Sequence, residues 1–196
     1  MTPKGQRACT RIVEAAAQLM FEQGVAETTI EQVREAAGVS NSQVYHYFPG
    51  KTLLVQAVIE HQANTVVGGQ QPMFDRLDTI DGLRAWRDFL VAHQRQLRCR
   101  GGCPLGSLGV EVAETDDTAR AQVAASFARW EDGIRAGLRQ MHAAGRLAAA
   151  ADPDALALAL LGALQGGLML TQLHRDTHPL ETSLDAMLTL IAMQTI

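Results

Sequence analysis

A chain of 196 residues that is 47% hydrophobic and 19% charged can bury a core, which excludes disorder as its ground state. Its formal charge is −4, from 17 Lys and Arg against 21 Asp and Glu. That excludes a protein that gathers polyanions by bulk charge, so any nucleic-acid contact must come from local arrangement.

In chain order the pattern is helical throughout, with no alternating run that would suggest a strand. Ile12, Ala16, Leu19 and Met20 recur at helical spacing, and Gly24 ends that first helix. Thr28 with Glu31, and Thr29 with Gln32, both have capping-box spacing. A second helix therefore starts there, turns Ile30, Val33 and Ala37 inward, and stops at Gly38. Ser40 and Gln43 repeat the spacing at once, and Pro49-Gly50 closes a very short third helix. A fourth runs from near Lys51 to about Val67. Gly68-Gly69-Gln70-Gln71-Pro72 opens a loop to about Thr79. Leu83, Trp86, Leu90, His93 and Leu97 mark one face of a fifth helix, which Arg100-Gly101-Gly102 breaks. Pro104 suits the first position of a short sixth helix. Val123, Phe127, Trp130, Ile134, Leu138 and Met141 define a long amphipathic seventh, ending near Gly145. Asp152-Pro153 opens an eighth helix that is apolar nearly all round and is expected to be buried on most sides. Its apolar run, Ala155 to Leu170, is broken by Gln165 and is shorter than the ~20 residues a membrane span needs, so no membrane association is expected. His178-Pro179 precedes a last helix carrying Leu180, Leu184, Met187, Leu188 and Ile191. The expected fold is all-α, with about nine helices: a compact three-helix head, then a helical bundle.

Chemistry concentrates in the head. Its second and third helices are joined only by Gly38-Val39-Ser40, a helix-turn-helix signature. With Val44 set inward and about 100° per residue, Phe48 lies close to it and Asn41 and Tyr47 fall at the edges. Ser42 and His46 then point away, flanked by Gln43 and Tyr45. That outward side holds hydroxyl, amide, imidazole and phenol groups and no carboxylate, so it can bond base edges or phosphates without repelling them. Lys51, heading the next helix, can present an ammonium and a backbone N–H to a phosphate. Thr28 and Thr29 head the second helix and can do the same.

The run TTIEQVREAAGVSNSQVYHYFPGKTLL (Thr28–Leu54), after RIVEAAAQLMFEQG (Arg11–Gly24), resembles the DNA-binding domain of the TetR family of bacterial transcriptional regulators. The resemblance covers about the first third of the chain. It implies a helix-turn-helix domain over residues 1–50 and a helical ligand-binding and dimerisation domain over residues 51–196. It also implies that Gln43, Tyr45 and His46 touch DNA, with Asn41 and Ser42 at the helix entry and Lys51 on a phosphate. Thr28 or Thr29 would add a backbone contact. Members often carry a basic residue and then Gly where this chain has Asn41-Ser42, His at Tyr47, and Ser or Asp at Gly50. The missing cation at Asn41 bears on operator affinity, not on the fold.

The remainder matches the family in architecture, and Gly102-Cys103-Pro104-Leu105-Gly106-Ser107-Leu108 resembles a segment of its LmrA-type, drug-responsive branch. The family resemblance implies a double-stranded DNA operator, a small-molecule effector, repression as the usual mode, and a homodimer formed through the last two helices. Gly162, Gly166 and Gly167 would let helices approach closely there. Candidate pocket residues are Trp86, His93, Phe127, Trp130, Gln165 and Met169, each read as lying on an inward stripe. Three cysteines cannot all pair, and no signal-peptide pattern opens the sequence, so free thiols in the cytoplasm are expected. Cys99 and Cys103 lack a second pair, and His174 and His178 lack a third ligand, so no metal site is expected. Nucleophile elbow, phosphate-binding loop, dinucleotide glycine motif and metalloprotease helix are all missing, so neither enzyme activity nor a cofactor is expected. The alternative of a different class is an all-helical small-molecule carrier or enzyme with a vestigial DNA-binding head.

Overall fold

Apart from one isolated antiparallel bridge, Leu147 with Thr195, every regular element among the described residues, 2–195, is helical. The computed structural model contains α1 (Pro3–Glu27), α2 (Ile30–Ala37), α3 (Asn41–Tyr47), α4 (Lys51–Val66), α5 (Gln71–Phe74), α6 (Ile80–Gln96), α7 (Pro104–Val112), α8 (Asp117–Ala143), α9 (Pro153–His174) and α10 (His178–Ala192). Nine have seven residues or more. The tenth, the single turn α5, lies in the stretch read from sequence as loop, after a 3-10 turn at Gly68–Gln70. Pro72 fits the first turn of a helix, and buried Phe74 and Leu77 anchor the segment.

The helices pack as two units, one formed by residues up to Val66 with Pro104–Ser126, the other by Val67–Cys103 with Phe127–Ile196. In the first, α1 buries Ile12, Ala16 and Met20 against a core shared with α2, α4 and α7. Thr2 caps α1, and Gly24, at φ 88°, breaks it as expected. The break frees the amide of Val25, which donates to the carboxylate of Glu111 on α7 at 2.5 Å. A helix end buried without such an acceptor would be destabilised.

In the second unit α6, α9 and α10 pack around Leu83, Trp86, Leu160, Leu164, Leu180 and Leu184, all fully buried. Trp86 donates its indole N–H to Gln70 at 2.8 Å inside this core, so the ring gains burial without an orphaned donor. Asp152 caps α9, accepting from the amides of Asp154 and Ala155. The hydroxyl of Thr171 on α9 accepts from Leu180 N on α10 at 3.2 Å. Arg87 on α6 clamps Asp185 on α10 through two bonds of 2.8 and 2.7 Å, and Arg139 clamps Asp154 in the same way. The Arg139 guanidinium holds the Asp154 carboxyl below the usual carboxylate range. No disulfide forms among the described residues, and burial pushes the Cys9 thiol up, which keeps it protonated.

The sequence expectation for α9 is not met within the single chain. α9 is not buried on most sides: Leu158, Met169, Leu170 and Leu173 stand exposed, Leu173 at 71%. At 22 residues, with a mean hydropathy of 1.6 over its best stretch, α9 is also long and apolar enough to cross a membrane, and 44% of that stretch is buried inside the protein. Its buried side packs against α10.

Close approach to backbone decides Gly137. A Cβ on Gly137 of α8 would sit 2.5 Å from Leu77 Cβ and 2.8 Å from its carbonyl carbon. Helix propensity alone would make Gly137→Ala stabilising by about 1 kcal/mol. The collision with backbone reverses the sign: Gly137→Ala is expected to lower stability by about 1–3 kcal/mol, read as a fall in thermal midpoint. An unchanged or raised midpoint would show that the α8 contact with Leu77 is looser than described.

Candidate nucleic-acid interface

The geometry of the head follows from two successive caps. Thr29 accepts from Gln32 N at 3.2 Å and donates its own amide to Gln32 Oε1 at 2.8 Å, so the capping box at Thr29 starts α2. Gly38 ends α2 in the left-handed region, φ 62° and ψ 45°, a conformation glycine adopts without the Cβ penalty. Its amide and that of Val39 return to Glu35 and Arg34 carbonyls. Ser40 then repeats the reciprocal bonds with Gln43, at 3.3 and 3.0 Å. Two helices are thus set at an angle across three residues, with the exposed backbone groups satisfied locally.

α3 has seven residues, too few to hold helical form in water unaided. Val44 is fully buried and Phe48 nearly so, and α3 packs against α1 and α2. This leaves Asn41, Ser42, Gln43, Tyr45 and His46 exposed, Tyr45 at 53%. Ser42 bonds the Ser40 hydroxyl at 2.9 Å. His46 packs edge-on to Tyr47 with ring centres 4.9 Å apart. The exposed face therefore carries donors and acceptors on a held backbone, and no carboxylate.

Two expected phosphate contacts stand differently from the sequence reading. Thr28 is 1% exposed, and its hydroxyl donates to Gly24 O at 2.8 Å. Its side chain is turned into the break of α1, and Thr29 is the exposed member of the pair. Lys51 is half-buried and its ammonium donates to Ala26 O at 2.9 Å. It ties the end of α1 to the start of α4, with two N–H bonds still available. Arg34 is engaged by Glu31, Nε to carboxylate at 2.9 Å, a bond that holds the Glu31 carboxyl below its ordinary value. A groove of about 460 Å3 beside α3 is lined by Lys4, Arg7 and Arg11 from α1 with Gln43 and Tyr47. The sequence reading missed this grouping, although cations at positions 4, 7 and 11 share one face of a helix.

The residues proposed to line a pocket divide. Trp86 and Trp130 are buried, and Phe127 stacks on Trp130 with ring centres 6.1 Å apart. His93 is exposed and stacks on Phe89 at 6.4 Å, and Met169 is 56% exposed. Neither lies on an inward stripe. One residue is about 100° round a helix, and the position turned inward is Gln94, 3% exposed. Gln94 Oε1, Trp130 Nε1 and Gln165 Nε2 are buried with no hydrogen-bond partner among the described residues. No group of three or more His, Cys, Asp or Glu side chains is placed to hold a metal ion among the described residues.

Comparison with known proteins agrees with this geometry. Residues 12–58 match the bacterial regulatory proteins of the tetR family, and residues 79–187 match the tetracyclin repressor-like C-terminal domain. Transcriptional regulator AcuR of Cereibacter sphaeroides is 26% identical over 185 residues, covering 92% of this chain and 83% of AcuR. An uncharacterized helix-turn-helix transcriptional regulator of Lactococcus lactis is 26% identical over 184 residues, covering 91% of this chain and 90% of its own. A crystal structure of a TetR transcriptional regulator from Chloroflexus aurantiacus superposes with a TM-score of 0.82 at 27% identity, covering 99% of this chain and 98% of that one. These matches stop at the family and do not place the chain in the LmrA-type branch. With a helix-turn-helix head whose third helix offers a carboxylate-free polar face, and with matches across both parts of its length, the chain belongs to the TetR family and is a DNA-binding transcriptional regulator.

Proposed function

We propose that the protein is a homodimeric repressor that occupies a palindromic operator and leaves it when a small-molecule effector binds the helical bundle. The observation that carries this reading is the exposed face of α3, held from behind by Val44 and Phe48. In this reading residues 1–50 read DNA. Gln43, Tyr45 and His46 bond base edges, Asn41 and Ser42 meet the groove entry, and Thr29 and Lys51 meet phosphates. The side chain of Thr28 has no part, because it is buried. Residues 51–196 bind the effector and the second subunit, and the protein acts in the cytoplasm without catalysing a reaction.

The dimer reading rests on the outer side of the last two helices. Leu158, Gly162, Gly166, Met169 and Leu173 follow one another at steps of three and four along α9, with Leu170 beside them. The leucines and Met169 are exposed, and open space surrounds Gly162 and Gly166. Leu190 and Met193 are exposed on and just beyond α10. An apolar stripe of this length interrupted by small residues suits helix-on-helix contact with a second copy. A Cβ on Gly167, by contrast, would lie 3.0 Å from Leu180 Cα within the same chain. For the effector, Trp130 Nε1 and Gln165 Nε2 favour a ligand that supplies an acceptor, and Gln94 Oε1 one that supplies a donor. His93 and Met169, both exposed, are left out of the pocket.

Replacing Tyr45 and His46 together by Ala is expected to weaken binding to an operator selected from random DNA by at least about thirtyfold, given about 1–3 kcal/mol for each good base contact. The variant should sediment as the same dimer. Binding equal to the wild type would remove these residues from the interface. Leu158→Lys with Leu173→Glu is expected to yield folded monomers in analytical ultracentrifugation, with operator affinity falling in parallel, since one recognition helix reads only half a site. A dimer unaffected by both charges would move the interface elsewhere.

A further inference from the structure

The head carries a puzzle: its outward face is polar but nearly neutral, while duplex DNA is a dense polyanion. Arg34 is paired with Glu31, and the Lys51 ammonium is bonded to Ala26 O. Arg34 is thus not a free cation beside the recognition helix, Lys51 keeps its charge but is tethered to the end of α1, and Asn41 is uncharged.

Lys4, Arg7 and Arg11 differ. They follow at steps of three and four along α1, so they form one stripe, and all three are exposed. Ala8 and Ile12, about 70° and 110° round the helix from the stripe, are buried and fix which way it faces. No ion pair engages any of the three among the described residues. The stripe changes sign one turn on, at exposed Glu14. Together with Gln43 and Tyr47 of α3 the three cations line one groove of about 460 Å3. Arg7 and Arg11 also line a second groove of about 470 Å3, beside Pro3, Gln6 and Thr10. Arg7 and Arg11 therefore stand between the two grooves, and Lys4 continues the stripe beside the Gln43–Tyr47 edge of α3.

We infer that Lys4, Arg7 and Arg11 form a clamp for the DNA phosphate backbone that borders the major groove occupied by α3. A recognition helix seated in a groove about 12 Å wide has a phosphate chain along each side. The stripe lies along the Gln43–Tyr47 edge, where one of those chains must pass. The partner is duplex DNA, argued from charge complementarity and from continuity with the exposed face of α3. The clamp supplies the sequence-independent attraction that the neutral α3 face lacks, and it leaves base reading to Gln43, Tyr45 and His46. This inference rests on α3 being the DNA-reading helix.

The test is the salt dependence of binding, followed by fluorescence anisotropy on a mixed-sequence duplex. A triple variant, Lys4→Gln, Arg7→Gln and Arg11→Gln, is compared with the wild type, and unchanged thermal unfolding confirms its fold. Each phosphate contact contributes about 0.9 to the slope of log K against log salt. One lost contact per protomer would thus lower the slope of a dimer by about 2, and a larger loss would lower it further. Should the triple variant unfold, Arg7→Gln alone is expected to lower the slope in the same direction. Arg7→Lys with Arg11→Lys is expected to keep the slope, because a phosphate requires only the charge. Arg84→Gln with Arg100→Gln, two exposed cations outside the head, is expected to leave it unaltered. Wild-type binding with an unchanged slope in the triple variant, or an equal fall in both charge-removal sets, would overturn the clamp alone. No binding by the wild type at low salt would overturn the reading of α3 and the clamp with it.

Discussion

The seven residues of α3 exist as a helix because Val44 and Phe48 are gripped by the α1 and α2 core. That grip is the constraint from which the rest of the head follows. Burying two side chains of this size contributes about 1.5–3 kcal/mol each, enough to offset the poor nucleation of so short a helix. The grip also fixes rotation: once Val44 points inward, the alternation of the helix leaves Ser42, Tyr45 and His46 no other side to occupy. Gly38 and the two capping boxes set where the segment begins and the angle at which it leaves α2. Recognition chemistry is thus a by-product of packing, presented on a backbone that need not reorganise when DNA arrives.

A second consequence concerns charge. The head spends little net charge on DNA, and several ionic groups in and around it serve structure. Lys51 joins α4 to the end of α1, Glu111 receives the amide freed by the break at Gly24, and Arg34 is engaged within α2. A regulator built this way gains less from counter-ion release than a basic one, so a few unpaired cations next to α3 carry disproportionate weight. In the second unit the same logic appears with polarity in place of charge. Most buried polar groups there are paired, as in Trp86 with Gln70, and the orphaned atoms of Gln94, Trp130 and Gln165 stand out against that background.

Local chemistry was legible in the sequence wherever a residue acts on near neighbours. Capping spacing located the starts of α2 and α3, Gly24 and Gly38 marked the break of α1 and the end of α2, and rotation about Val44 assigned the exposed face of α3 side chain by side chain. What escaped depends on partners distant in sequence. Thr28 and Thr29 are equal candidates as caps, and only the carbonyl at Gly24 decides that Thr28 is buried. His93 and Gln94 are adjacent, and a small rotation of α6 decides which one faces inward. α9 reads as a core helix because its outer side is as apolar as its inner one, and one chain cannot cover both. The cation stripe of α1 was visible as spacing, but its meaning requires α3 to lie beside it.

The most direct measurement of the central claim is hydrogen exchange of the amides from Asn41 to Tyr47, with and without a selected operator duplex. The account predicts moderate protection of this segment in the free protein, set by the Val44 and Phe48 anchor, and a marked gain in protection on DNA binding. Free-state exchange as fast as in an unfolded chain, or a complex in which protection rises elsewhere and α3 is untouched, would contradict it.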